Sequence, residues 1–113
     1  MLARANRLVS GDEFRRVSRR GRRVETDHMV VSSLMTDPRL PARFGFTLTR
    51  KVGNAVERNR VRRRMRAIAW ELVHDGLSGR DIVVRGLPKS IGADWKVLHT
   101  ELTSAVREGA NTR

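Results

Sequence analysis

The stretch F-G-F-T-L-T-R-K-V-G-N-A-V-E-R-N-R-V-R-R-R-M-R, residues 44–66, changes its period part-way along. Phe44, Phe46 and Leu48 alternate with Gly45, Thr47 and Thr49, the two-residue repeat of a half-buried strand. Asn54 then offers a side-chain oxygen for a helix N-cap. Glu57 three residues later completes a capping-box pair, which predicts a helix from Ala55. From there Val61, Met65, Ile68 and Leu72 recur at helical spacing and form one apolar stripe. Asn59, Arg62, Arg63, Arg66 and Trp70 fall on the other side of the same helix. A strand that runs straight into a two-faced helix predicts helices packed against a sheet.

The charge on that helix is one-sided. Residues 50–66 carry eight of the chain's 24 basic residues and one acid, Glu57. A solvated helix usually mixes signs to gain pairs four residues apart, whereas Arg58, Arg60, Arg62, Arg63, Arg64 and Arg66 mainly repel one another. Such repulsion points to an anionic partner that relieves it. The formal net charge of +12 over 113 residues makes nucleic acid the leading partner class, with an anionic membrane surface second. Gly53, just before the cap, is expected to let the chain turn sharply and approach a phosphate closely.

Working outward, residues 1–9 are basic, lack a clear period and read as an extended arm. Residues 10–108 read as a single α+β domain that binds nucleic acid, and 109–113 as a short tail. Ser10 and Glu13 form a second capping box, opening a helix with Phe14 and Val17 that ends near Gly21. The cluster at Met29, Val30 and Val31 reads as strand, and Pro38 and Pro41 bound a loop. After the basic helix, Asp75-Gly76 and Ser78-Gly79 mark a turn, and Asp81 to Arg85 a short apolar strand. Gly86 to Gly92, with Pro88, reads as a connection. A last helix is expected after Asp94, with Trp95, Leu98, Leu102 and Val106 on its buried side. The order is α-β-β-β-α-β-α, a two-layer α+β sandwich.

Little points to catalysis by the chain itself. There is no cysteine, so disulfides, thiolate zinc sites and cysteine nucleophiles are excluded. His28, His74 and His99 are isolated in sequence, none at metal-ligand spacing, and read as surface or packing residues. Asp12 and Glu13 are adjacent but belong to a first helical turn, where the helix dipole favours acids. No Walker-type phosphate loop and no Ser-His-Asp spacing is present, so no catalytic residue and no metal ligand is assigned. No run approaches membrane-spanning length, and a soluble cytoplasmic chain with no membrane partner is expected. Trp70 admits two readings, base stacking or cation–π contact with Arg66 on one hand and a half-buried rim position on the other.

These residues resemble the protein subunit of bacterial ribonuclease P. The resemblance centres on residues 44–66, with G-N-A-V followed by the R-N-R signature at Arg58-Asn59-Arg60. Arg7-Leu8, the E-F-x-x-V pattern from Glu13 to Val17 and the D-I-V-V strand at 81–84 agree with it, so the likeness runs over about residues 7–106. The resemblance implies a small mixed sheet with a left-handed β-α-β crossover, against the usual preference. It also implies a large catalytic RNA as partner, bound 1:1 by a monomeric protein. Together they would hydrolyse one phosphodiester of precursor tRNA, releasing the 5′ leader, with Mg2+ held mainly by the RNA.

Carried over by position, Arg58, Asn59, Arg60, Arg62, Arg63 and Arg66 would dock on the RNA subunit, with Arg50 and Lys51 contributing. A leader-binding cleft between the sheet and the first helix would hold Phe14, Val17, Ser18, Ser32, Thr47 and Thr49. Ser18 and Ser32 stand where related proteins often carry aromatics, which implies weaker base stacking on the leader. Arg64 stands where the family tends to have an aliphatic residue. Two other classes remain as rivals: a ribosomal or chaperone-like RNA-binding module, and a protein-only nuclease using carboxylates such as Asp27 or Asp81.

Overall fold

The computed structural model describes residues 2–110. Helix α1 (Gly11–Arg20) leads into strands β1 (Arg22–Glu25), β2 (Met29–Met35) and β3 (Arg43–Thr47). Helix α2 (Ala55–His74), strand β4 (Arg80–Gly86) and helix α3 (Trp95–Ala110) follow. The α-β-β-β-α-β-α order and the α+β class match the sequence reading.

The four strands form one mixed sheet in the order β1-β2-β4-β3. β1 and β2 are an antiparallel hairpin whose turn is closed by the Thr26 hydroxyl, which accepts the Met29 N–H at 3.2 Å. β2 and β4 are antiparallel, with Val31 opposite Val84. β3 and β4 are parallel neighbours joined through α2, with Phe44 opposite Ile82 and Phe46 opposite Val84. This register decides the two faces, because successive side chains point to opposite sides. Met29, Val31, Phe44, Ile82 and Val84 meet Val61, Met65, Ile68 and Ala69 of α2 and Leu98, Leu102, Ala105 and Val106 of α3 in the main core. Each large side chain buried there contributes about 1.5–3 kcal/mol. Val83, on the other face, packs with Leu8 and Val17 beneath α1.

Both capping boxes are present: the Ser10 hydroxyl accepts the Glu13 N–H, and the Asn54 side-chain Oδ1 accepts the Glu57 N–H at 2.8 Å. Past α2 the chain reverses through Gly76 and Gly79, whose φ of +104° and +65° suit glycine. Gly53 serves differently from the sequence expectation. Its φ is not positive. A Cβ there would lie 2.7 Å from Glu57 Oε1 and 3.3 Å from the Ile91 side chain. The residue is small so that the capping carboxylate and the chain before α3 can close over it.

Four further expectations are corrected. The segment before α1 is not a free extended arm: it contains a 3-10 turn (Arg4–Asn6), and Leu2 is buried in the main core. The Leu8 N–H donates to the Phe44 carbonyl at 2.9 Å and the Asn6 amide to the Ala42 carbonyl at 2.8 Å, so this segment lies along the β3 edge. Its two anchors are separated by the 3-10 turn, which is why no single period betrays them. β3 does not run straight into α2, because a turn at 50–52 intervenes. Trp95 is 39% exposed at the first position of α3 and packs on His99, while Leu98, Leu102 and Val106 are buried as expected. Finally, α3 runs to Ala110 with Gly109 buried, so the tail is shorter than 109–113, and 111–113 lie outside the described residues.

Candidate nucleic-acid interface

The basic helix divides its arginines between two jobs. The apolar stripe of Val61, Met65 and Ile68 turns one side of α2 into the core, and the opposite side carries Asn59, Arg62, Arg63 and Arg66 together around a shallow hollow of about 440 Å3 with Val56. Arg62 Nη1 donates to Asn59 Oδ1 at 2.9 Å, which holds the fork open along the helix. Burial, then the nearby charges of Arg7 and Arg62, push the Arg66 guanidinium below its ordinary range. Among the described residues, the ion pairs of the chain do not include Arg62, Arg63 or Arg66.

The remaining expected docking residues are placed differently. Arg58 Nε donates to the Gly53 carbonyl at 3.1 Å, so it braces the turn that precedes the helix. Arg60 lies around the helix from Arg62, beside Glu57, Ile91 and Asp94. Arg64 donates to the Ala93 carbonyl at 2.8 Å and ties α2 to the start of α3. That bond gives Arg64 a structural use. Arg50 and Lys51 are exposed in the turn between β3 and α2.

The cleft between α1 and the sheet exists, with a volume of about 300 Å3. Phe14, Val30 and Val83 supply its apolar surface, and Ser18, Ser32 and Thr47 its small polar positions. Val17 does not line it: at 0% exposure it sits beneath α1 against Leu8 and Val83. Thr49 is exposed beyond the end of β3 and does not line it either. Sequence reasoning missed the rim, where Arg15, Arg19, Arg23 and Arg85 converge. Only half of the signal was local: 15 and 19 are one helical turn apart, whereas 23 and 85 are brought to them by the register of the strands. Gly45 explains how Phe14 fits, because a Cβ there would come within 2.4 Å of the Phe14 ring.

A buried ionic network holds α1 over the sheet. Asp81, 1% exposed, accepts from Arg16 Nη2 at 3.0 Å and from Arg43 Nε and Nη2 at 3.0 and 2.8 Å. Arg43 Nη1 reaches Glu13 at 2.8 Å, so the capping carboxylate also belongs to the network. Asp81, then Glu13, drives the Arg43 guanidinium up from its ordinary value. The Val9 N–H, against some burial, and then Ser10 and Arg43 hold the Glu13 carboxyl below its usual range. Asp81 is thereby engaged by two arginines in a structural network.

The two surfaces meet. Arg66 and Phe14 both border a small hollow with Arg7, Phe44, Gly45 and Phe46, so the cationic side of α2 continues around the β3 edge towards the cleft. The histidines are less isolated than their spacing suggests. His28 Nδ1 lies 2.8 Å from Glu101, His99 Nε2 lies 2.7 Å from Glu71, and His74 stacks on Trp70. These pairs join residues 73 and 28 positions apart, beyond the reach of local pattern. Among the described residues no three His, Asp or Glu side chains gather to hold a metal ion, and no helix is long and apolar enough to cross a membrane.

Known proteins share both sequence and fold. The ribonuclease P protein component of Clavibacter michiganensis is 46% identical over 112 residues, covering 99% of each chain. That of Beutenbergia cavernae is 48% identical over 106 residues, covering 94% of this chain and 89% of the relative. The solved ribonuclease P protein of Staphylococcus aureus superimposes with a TM-score of 0.76 at 22% identity, covering 100% of this chain and 97% of that one. The Thermotoga maritima protein gives 0.74 at 24% identity, covering 87% and 92%. At those identities the two structures speak for the fold alone. With the ribonuclease P family model matching residues 2–109, the chain belongs to the ribonuclease P protein family.

Proposed function

We propose that this chain is an RNA-docking and leader-gripping subunit of ribonuclease P, acting in the cytoplasm as a monomer bound 1:1 to the catalytic RNA. The observation that carries the reading is the gathering of Asn59, Arg62, Arg63 and Arg66 on one side of α2, with no carboxylate paired to those arginines among the described residues. That side docks on the RNA subunit. The α1–sheet cleft, with its arginine rim and its single aromatic, Phe14, takes the single-stranded 5′ leader of precursor tRNA.

The protein's work is electrostatic and positional. Two polyanions repel, and arginines placed on both surfaces offset that repulsion while fixing the leader relative to the docked RNA. Phosphodiester hydrolysis is the chemistry of the RNA subunit with magnesium bound mainly by it. The chain's own donors do not fit a magnesium site, since Asp81 is filled by two arginines and no carboxylate cluster forms among the described residues. With Ser18 and Ser32 at the cleft, leader binding depends more on cations than on base stacking, each absent stack forgoing about 1–3 kcal/mol.

The test is to incubate precursor tRNA with the cognate RNA subunit at low magnesium, with and without this protein. Protein-dependent release of an intact leader is expected. An unchanged cleavage rate, or cleavage by the protein without the RNA subunit, would overturn the reading.

A further inference from the structure

Trp70 continues the exposed stripe of α2, one helical turn beyond Arg66 and two beyond Arg63. It is 38% exposed, while its neighbours Ile68 and Ala69 are wholly buried and do the packing at this end of the helix. One side of the indole is backed by His74, with ring centroids 3.8 Å apart and planes 26° apart. His74 is itself held by the Trp70 carbonyl, 2.9 Å from its Nδ1. The ring therefore stands in a set orientation at low cost in conformational entropy. Ala67, with only a methyl group, leaves space beside it, and Arg63, Arg66, Ala67, Trp70 and Glu71 line a hollow of about 450 Å3. Glu71 Oε1 lies 2.7 Å from His99 Nε2, so that carboxylate is held toward α3 and pairs with neither guanidinium of the hollow.

An oriented aromatic face beside two cations is the chemistry that takes an unstacked base with its phosphate. We propose that this hollow binds one unpaired nucleotide of the RNA subunit, its base stacked on Trp70 and its phosphate taken by Arg63 and Arg66. The site lengthens the docking surface by about 6 Å beyond Arg66, at 1.5 Å of rise per residue. It rests on the reading of α2 as the RNA-docking helix, and it adds recognition of a loop or bulge to an otherwise backbone-directed surface.

The experiment uses the full chain and the cognate RNA subunit. In the Trp95→Phe background Trp70 is the sole indole, and its fluorescence is followed as the RNA is added. Stacking predicts quenching that saturates with binding. Trp70→Ala is expected to weaken affinity roughly 5- to 150-fold. Trp70→Phe, which keeps a ring face, restores most of the loss, and Trp70→Leu, which keeps apolar bulk without one, does not. Thermal melts accompany each variant, and the Phe and Leu pair decides the matter even if Ala unfolds. Binding by Trp70→Leu as tight as by Trp70→Phe, or saturation without any change in fluorescence, overturns the stacking site. If Arg62→Ala still weakens binding in that case, the docking reading survives alone; if wild type and Arg62→Ala bind equally, both fall.

Discussion

Arginine does opposite work on the two sides of β3. Under α1, Arg16 and Arg43 converge on buried Asp81, and Glu13 completes the network. On α2, Arg62, Arg63 and Arg66 stand together without a carboxylate among the described residues. The same side chain is a fold element where a buried acid meets it and, in the function proposed, a recognition element where none does. The contrast turns on where the acids are, since Arg43 and Arg62 are equally charged. It also separates the expected consequences: removing a charge from the first group should cost stability, and removing one from the second should weaken RNA binding alone.

The largest expected effect on stability is at Asp81. Asp81→Ala leaves Arg16 and Arg43, 45% and 31% exposed, without their shared buried acid, and a loss of about 2–3 kcal/mol is expected in denaturant unfolding. A change below 1 kcal/mol would show that both arginines find water and that the network is dispensable. Gly45→Ala comes next. Its new methyl meets the Phe14 ring, which must leave its place in the cleft, so a cost of about 1–3 kcal/mol is expected together with weaker leader binding. Unchanged leader affinity in that variant would detach the cleft from the function proposed for it.

Acid should act on the paired region first. Glu13 has its carboxyl pKa depressed in the folded state, so its contribution is complete above the unfolded value of about 4.3 and fades as pH falls through the lower folded one. Glu13→Gln should flatten that acid limb of the stability curve while leaving neutral-pH RNA binding nearly intact; an unaltered limb would remove Glu13 from the network. The smallest stability effect belongs to α2. Arg62→Ala with Arg66→Ala should shift unfolding by less than about 0.5 kcal/mol, because neither has an acid to abandon and Arg66 sheds a crowded, half-buried charge.

How much of this was legible in sequence follows from the range of the interactions. Capping boxes are three residues long, and both were readable at Ser10 and Asn54. The apolar stripe of α2 has a local period, so its opposite side was readable too, including the grouping of Asn59, Arg62, Arg63 and Arg66. Arg64 and Arg58 were not, because backbone carbonyls at Ala93 and Gly53 took them, and carbonyls leave no mark in a side-chain pattern. Val17 was placed in the cleft by the resemblance alone, yet it packs beneath α1 where Leu8 meets it. The arginine rim of the cleft needed the register of β1, β2 and β4 together, which no single segment carries. Trp95 failed for a different reason: it fits the helical stripe, but the stripe begins to be covered only at Leu98.

The central claim is that the unpaired arginines of α2 are docking groups for RNA phosphates. Its most direct test is the affinity for the cognate RNA subunit across a salt series, for wild type and for the Arg62→Ala, Arg66→Ala double variant. The account predicts a steep loss of affinity with salt in wild type. It predicts a log–log slope shallower by roughly 1.5 in the variant, about 0.7–0.9 for each phosphate contact removed, with unfolding curves that nearly coincide. Equal slopes for the two proteins would contradict it.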